Sequence, residues 1–248
     1  MSIGAAPTLL ADIHNQLVVD PTFVEGQEPA TIIIYGVDVR HDLVRDANGA
    51  FLRLGAMSLT TPRLRTMRLN AGTIDDVTGE SSFAVGRWTA ATYTDIYGST
   101  KTLTANQGLH YIIYDQVPFD LAIHEPYLCR MVHATKPTAT SVDVAPGTVS
   151  ANLQINPLGP NAIFSMSLSL GQDKSYMIEP TPLNGFSIWG GSNVATMTSI
   201  DGNKASVNFV PIRLEDKVLT LGLGYAVTLP KSGNVNGVAI MKCEPKTP

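Results

Sequence analysis

The residues best suited to chemistry in this chain are its five histidines, and their spacing does not indicate a metal site. They are His14, His41, His110, His124 and His133. They form no HExxH motif, and no two of them alternate along one strand beside a pair of carboxylates, as a zinc site would require. We therefore expect neither a metal centre nor another cofactor.

Motifs of covalent and acid–base catalysis are also missing from the sequence. It contains no GxSxG, no SxxK with KTG and no cysteine–histidine signature. The adjacent carboxylates Asp75-Asp76 and Glu215-Asp216 would point to opposite faces of a strand or lie at a turn, so they make poor acid–base pairs. We expect no catalytic residues, and an enzyme of unfamiliar type is the weakest of the alternatives.

One histidine, with the tyrosine beside it, could still bind a ligand. His110 and Tyr111 belong to residue types that serve as axial ligands of haem iron. The competing interpretation is that Tyr111 packs in the interior while His110 is a hydrogen-bonded polar partner. His133 alternates with Met131 and Cys129, which predicts that it faces the interior of a sheet.

Two segments that combine aromatic residues with glycine are further candidates for binding. Gly86-Arg87-Trp88 could expose an arginine beside an aromatic side chain, although core packing is the competing interpretation for Trp88. Residues 186–191, with the sequence FSIWGG, could form a loop that presents Phe186 and Trp189. We therefore take Arg87, Trp88, Phe186 and Trp189 as candidate binding residues.

The composition restricts the partners and the fold class. Hydrophobic residues make up 44% of the 248 residues, charged residues only 15%, and the net charge is −4. These values are far from those of disordered chains, and the scattered basic residues argue against a nucleic-acid partner. No apolar run approaches the roughly 18 residues of a membrane helix. The first 16 residues carry no charged segment of the kind that opens a secretory signal.

Short apolar runs separated by turn residues predict strands instead of helices. Ala162, Phe164, Met166, Leu168 and Leu170 alternate with serines, as expected of a half-buried strand. Turn sequences at 46–49, 201–203 and 232–234 would join neighbouring runs into hairpins. In the run 219–229, the small residues at 222, 224 and 226 would leave room for a neighbouring side chain. We predict an all-β, antiparallel fold.

The chain divides into three segments by its pattern. Residues 1–29 read as an extended lead-in, residues 30–126 as an N-terminal β region, and residues 127–248 as a run of about eight short strands, a number that suits a small closed barrel. Large inward residues such as Phe164 and Phe209 favour a filled barrel. A filled interior favours a protein partner over a small hydrophobic ligand.

Five short segments, in this order, resemble bacterial envelope proteins whose C-terminal β-barrel is like that of transferrin-binding protein B and often follows a FecR-like domain. They are Asp46-Ala47-Asn48-Gly49, Gly86-Arg87-Trp88, Gly108-Leu109-His110-Tyr111, Ala134-Thr135-Lys136-Pro137-Thr138 and Gly237-Val238-Ala239. The resemblance implies an eight-stranded lipocalin-like barrel after a handle-like β region, located in the periplasm or at the cell surface. We expect a non-enzymatic protein-binding or structural module, for which association with the outer membrane is one of the open alternatives. A lipocalin-like carrier of haem or another small ligand is the alternative.

The two cysteines lie in the first and last strands of the proposed barrel. Closure would place those strands side by side, so that Cys129 and Cys243 could form a disulfide. The chain-entropy model assigns such a long loop roughly 4–5 kcal/mol of stabilisation. The alternative is two separate buried thiols that act as small hydrophobic residues.

Overall fold

The computed structural model describes the chain mainly through its strands. The described residues are 15–19, 37–38, 43–45, 51–54, 57–60, 66–69, 73–80, 83–89, 92–94, 99–102, 109–115, 125–139, 147–156, 162–170, 174–183, 194–198, 204–229 and 233–246. Almost all of them belong to antiparallel strands, which confirms the predicted all-β class. This part of the chain holds no helix with the length and apolar character of a membrane span.

The strands before residue 116 form two small sheets and a hairpin. In the described residues they are β1 (Asn15–Val19), β2 (Val37–Asp38), β3 (Leu43–Arg45), β4 (Phe51–Leu54), β5 (Met57–Thr60), β6 (Thr66–Leu69), β7 (Thr73–Glu80), β8 (Phe83–Thr89), β9 (Thr92–Thr94), β10 (Thr100–Thr102) and β11 (Leu109–Asp115). The first sheet has the order β2-β1-β11-β8-β7 and the second the order β10-β9-β6-β5. β3 and β4 form the hairpin predicted around the turn at 46–49. Because β1 pairs with β11, part of the segment expected as a lead-in belongs to the first sheet.

The strands after residue 126 form one larger sheet. They are β12 (Tyr127–Ala134), β13 (Thr138–Ala139), β14 (Thr148–Ile155), β15 (Ala162–Leu170), β16 (Lys174–Leu183), β17 (Val194–Thr198), β18 (Lys204–Glu215), β19 (Val218–Leu229) and β20 (Gly233–Pro245). Eight of them follow the order β16-β15-β14-β12-β20-β19-β18-β17, and β13 pairs with β20. The β17–β18 and β19–β20 ladders confirm the hairpins predicted around 201–203 and 232–234.

This C-terminal sheet places β12 beside β20, but it does not close into the predicted eight-stranded barrel. Its end strands are β16 and β17, and no ladder joins them among the described residues. β16 contains Pro180 and Pro182, which have no N–H group to donate to a neighbouring strand and are typical of sheet edges. Within the described residues it is therefore an antiparallel sheet with two end strands.

The sheet nevertheless curves around one filled core. Residues of β15 alternate between buried and more exposed, as their hydrophobic period predicts. Phe164 of β15 contacts Phe209 of β18 edge to face, with ring centroids 5.8 Å apart, although four strands separate these two in the sheet. Both rings are at most 2% exposed. Such a contact requires the sheet to bend, and it fills the interior with aromatic side chains.

A β-bulge in β12 changes which side chains face this core. Met131 pairs with Met241, and the next pair is His133 with Ile240, which leaves Val132 without a partner in that ladder. The extra residue turns His133 to the outer face of the sheet. There its ring lies 5.7 Å from the ring of Phe83. The prediction that His133 faces the interior is therefore wrong, because it assumed an uninterrupted period of two.

The outer face of the C-terminal sheet packs on the five-stranded N-terminal sheet. Their shared apolar cluster consists of Phe83, Val85, Ile112, Val210, Ile212, Val238 and Ile240. Ile112 also reaches Gly222 of β19, where an added Cβ atom would lie only 2.9 Å from its Cδ1 atom. Gly222 therefore leaves room for a neighbouring side chain, as predicted, and that side chain is Ile112 of the N-terminal sheet.

Candidate functional site

Among the candidate residues, Arg87 and His110 lie at the interface between these two sheets. Arg87 is on β8, His110 is on β11, and they are direct partners in the β8–β11 ladder. Their exposed fractions are 3% and 1%. Buried ionisable side chains are uncommon unless they have partners, so the contacts of this pair define the candidate site.

Both ring nitrogens of His110 bind threonine hydroxyls from the C-terminal sheet. Nδ1 lies 2.7 Å from Oγ1 of Thr135, and Nε2 lies 2.6 Å from Oγ1 of Thr138. Both threonines are buried. They flank the short connection between β12 and β13, so one histidine holds both ends of that connection.

Thr135 takes the place of a ladder partner for Val238 of β20. Its backbone N–H donates to the carbonyl oxygen of Val238 at 3.0 Å, and its hydroxyl donates to the same oxygen at 3.2 Å. The Val238 N–H donates back to Oγ1 of Thr135 at 3.2 Å. The threonine side chain therefore accepts the hydrogen bond that a strand carbonyl would otherwise accept.

These contacts suit a neutral imidazole in either tautomer. With the ring hydrogen on Nδ1, that nitrogen donates to Thr135, whose hydroxyl donates to Val238, and Nε2 accepts from Thr138. With the hydrogen on Nε2, the Thr135 hydroxyl donates to Nδ1 and Nε2 donates to Thr138. Both ring nitrogens have a partner in either case.

The surroundings of His110 keep the imidazole neutral. Burial lowers the pKa of His110 from 6.5 to about 3, and the nearby Arg87 guanidinium contributes in the same direction. A general base or a haem ligand needs a ring nitrogen with a free lone pair. Neither nitrogen of His110 offers one, so the geometry assigns this residue to joining the sheets.

The other candidate residues are less completely described. Trp88 and Tyr111 lie in strands β8 and β11, but their side chains are outside the description. Phe186 and Trp189 lie outside the described residues altogether. Of the six candidate binding residues, the structure therefore describes the side chains of Arg87 and His110.

The two cysteines are bonded to each other. Cys129 and Cys243 are direct partners in the β12–β20 ladder, and their sulfur atoms are 2.03 Å apart. Both residues are at most 2% exposed. Of the two alternatives for this pair, the structure has the disulfide.

A different surface of the C-terminal sheet is open. The outward side chains of β14 and β15 are mainly serine and amide residues, and with β16 they line a shallow groove of about 190 Å³. Large apolar side chains are exposed on the same side of the sheet, at Leu128, Ile163 and Met177. Leu128 and Ile163 lie in one row across the sheet, on either side of Gln154.

Comparisons with known proteins do not add a family. Neither family models, nor curated sequences, nor solved structures give a match to this chain. Within the described strands, no three histidine, cysteine or acidic side chains gather where they could hold a metal ion.

The sequence did not single out Thr135 and Thr138 as site residues. They occur in the segment 134–138 that carries part of the family resemblance, but a threonine in a short connection has no distinctive signal of its own. Their pairing with His110 spans 25 and 28 residues. Only the packing of the two sheets brings these residues together.

Proposed function

We propose that this chain is a non-enzymatic, protein-binding or structural module of the bacterial cell envelope, related to proteins with a barrel like that of transferrin-binding protein B. In this proposal the curved C-terminal sheet is the counterpart of that barrel, although no ladder joins its end strands β16 and β17 among the described residues. The observation that carries the proposal is the filled interior of the C-terminal sheet.

The packing of the interior favours a protein partner over a small ligand. A carrier needs a cavity of some 300 Å³ or more to enclose a ligand of drug size. Here Phe164 and Phe209 meet across the interior, together with buried residues such as Met166, Leu168 and Tyr225. Binding through an outer surface leaves this packing intact.

The contacts of His110 weigh against the haem alternative. Haem ligation would need a ring nitrogen that is now hydrogen-bonded to Thr135 or Thr138. Withdrawing the nitrogen would leave a buried hydroxyl without its partner, which costs about 1–3 kcal/mol. Haem binding would therefore compete with the contact between the sheets.

The disulfide supports an envelope location. Disulfides persist in oxidising compartments such as the bacterial periplasm and are rare in the cytosol. Alkylation of the chain inside its own cells, before and after reduction, tests the location. We expect Cys129 and Cys243 to be modified only after reduction, whereas two reactive thiols without reduction would contradict an envelope location.

The exposed apolar side chains of the open surface support a protein contact there. Met177 is 58% exposed, and Leu128 and Ile163 are each 37% exposed. A photo-cross-linking residue at Met177 should trap one defined envelope protein, while the same residue at the exposed turn position Asp216 should not. Equal adducts at both positions, or none at Met177, would argue against a partner on this surface.

A haemin titration separates this proposal from the carrier alternative. We expect the absorbance of haemin to be the same with and without the protein. A shifted Soret band that disappears in a His110→Gln variant would overturn the proposal and support a haem carrier.

A further inference from the structure

The two sheets are held together by an apolar cluster and by one buried polar group that titrates. The cluster joins β8 and β11 to the outer face of β18 and β20. Beside it, His110 binds Thr135 and Thr138, and through Thr135 it is linked to Val238 of that same cluster. The polar group is therefore part of the contact between the sheets and is closed off from solvent.

We propose that His110 and its two threonine partners form an acid-sensitive latch that releases the N-terminal five-stranded sheet from the C-terminal sheet when the imidazole takes up a proton. The latch is independent of the function proposed above, since it concerns how the two parts of the chain stay together.

Protonation disfavours the closed arrangement for two reasons. In either tautomer the second ring hydrogen would point at the hydrogen of the threonine hydroxyl that donates to that nitrogen, so this hydroxyl would have to rotate and its hydrogen would lose its partner. The new positive charge would also be buried beside the guanidinium of Arg87, its ladder partner. Separation of the sheets would relieve both problems, because water could then reach the imidazolium.

Among the side chains that the structure describes, the other charged groups around His110 do not offer it a compensating anion. The described titratable side chains on the elements packed near it are Arg87 on β8, Arg130 and His133 on β12, Lys136 before β13, and Lys242 and Glu244 on β20. Lys136 and Glu244 are exposed, and burial and Arg87 account for the electrostatic state of His110. Asp75 of β7 is the ladder partner of Arg87, on the side away from β11.

The direction of the pH effect follows from the lowered pKa of His110. The separated state has an ordinary imidazole that binds a proton below about pH 6.5, whereas the closed state resists protonation down to about pH 3. The equilibrium between closed and open sheets should therefore shift toward open about tenfold for each pH unit below 6.5. At pH 4 the shift amounts to roughly 300-fold.

Labelling of a cysteine introduced at one of two buried valines tests the latch. The introduced thiol is the one that reacts, because Cys129 and Cys243 are already paired. Val238→Cys places a thiol between the sheets, and Val207→Cys places one in the interior of the C-terminal sheet. Both are labelled with dithiodipyridine, which reacts in acid, at rates normalised to the unfolded chain. Between pH 6.5 and pH 4 we expect labelling at 238 to accelerate roughly 300-fold and labelling at 207 less than tenfold.

Two variants in the Val238→Cys background show whether His110 is responsible. His110→Gln cannot take up the proton, so its labelling rate should change less than tenfold with pH. Thr138→Val removes only the hydroxyl partner of Nε2, so labelling should be at least fivefold faster at pH 6.5 and should still accelerate in acid. Equal acceleration at 238 and 207, or an unchanged pH response in His110→Gln, would overturn the proposal.

Discussion

Cys129 of β12 and Cys243 of β20 are cross-strand partners joined by a disulfide that spans 114 positions of the sequence. The bond connects the first and the last long strand of the C-terminal sheet. Most of that sheet therefore lies inside one covalent loop, and both sulfur atoms face its buried core.

Removal of this bond should destabilise the protein without changing its fold. We expect a Cys129→Ala/Cys243→Ala variant to lose about 2–5 kcal/mol of unfolding free energy, because a long loop in the unfolded chain is no longer constrained. Denaturant titration measures the loss. Thiol titration of the unfolded wild type is the control and should find two thiols after reduction and none before. A variant within 1 kcal/mol of the wild type would show that the bond contributes little.

Truncation of an interior aromatic ring should open a cavity. Phe209→Ala removes the ring that contacts Phe164, and the expected loss of unfolding free energy is about 3–5 kcal/mol. The vacated space is lined by apolar side chains and should bind a small apolar molecule such as benzene. Thermal unfolding with and without benzene measures this. Met177→Ala, on the exposed surface, serves as the control and should change stability by less than about 0.5 kcal/mol without any response to benzene.

The contact of Ile112 with Gly222 should appear as a coupling between the two sheets. Gly222→Ala alone adds a Cβ atom against the Cδ1 atom of Ile112 and should cost about 1–3 kcal/mol. Ile112→Val removes Cδ1 and should cost about 0.5–1.5 kcal/mol. The double variant should be more stable than the sum of the single effects by at least about 0.5 kcal/mol. Additive effects in a double-mutant cycle would mean that the two residues do not meet.

A substitution in the turn between β18 and β19 should stabilise the protein. Asp216 and Lys217 both have positive φ angles, 49° and 65°, as in a two-residue type I′ hairpin turn, where glycine is favoured. Lys217→Gly should stabilise the protein by up to about 1 kcal/mol, since it removes the strain of a Cβ atom in the left-handed region. The exposed contact of Lys217 with Glu125 at 3.8 Å contributes little. Lys217→Ala keeps the strain and is the matched control, so equal melting temperatures for the two variants would contradict this explanation.

Local patterns predicted much of the C-terminal sheet. The alternation of Phe164, Met166 and Leu168 with serines identified β15 and its buried face, because one face of a strand must cover a core. Turn residues identified three hairpins, whose geometry depends on only a few neighbouring positions. In each of these cases the decisive interactions lie close together in the sequence.

Features that depend on distant contacts could not be predicted in this way. The bulge at Val132 has no local signal, so His133 was assigned to the wrong face. The open edges at β16 and β17 depend on whether two strands meet, which no alternation pattern reveals. His110 was recognised as a possible polar partner, but its binding to Thr135 and Thr138 results from the packing of one sheet on another.

Because of the bulge in β12, the faces that its side chains take depend on the number of residues in the strand as well as on their types. Before the bulge, Tyr127, Cys129 and Met131 face the interior, whereas after it His133 and Thr135 face the N-terminal sheet. If Val132 were paired in the ladder and the bulge were lost, each later side chain of β12 would turn to the opposite face. One extra residue in one strand therefore decides whether His133 and Thr135 reach the N-terminal sheet at all.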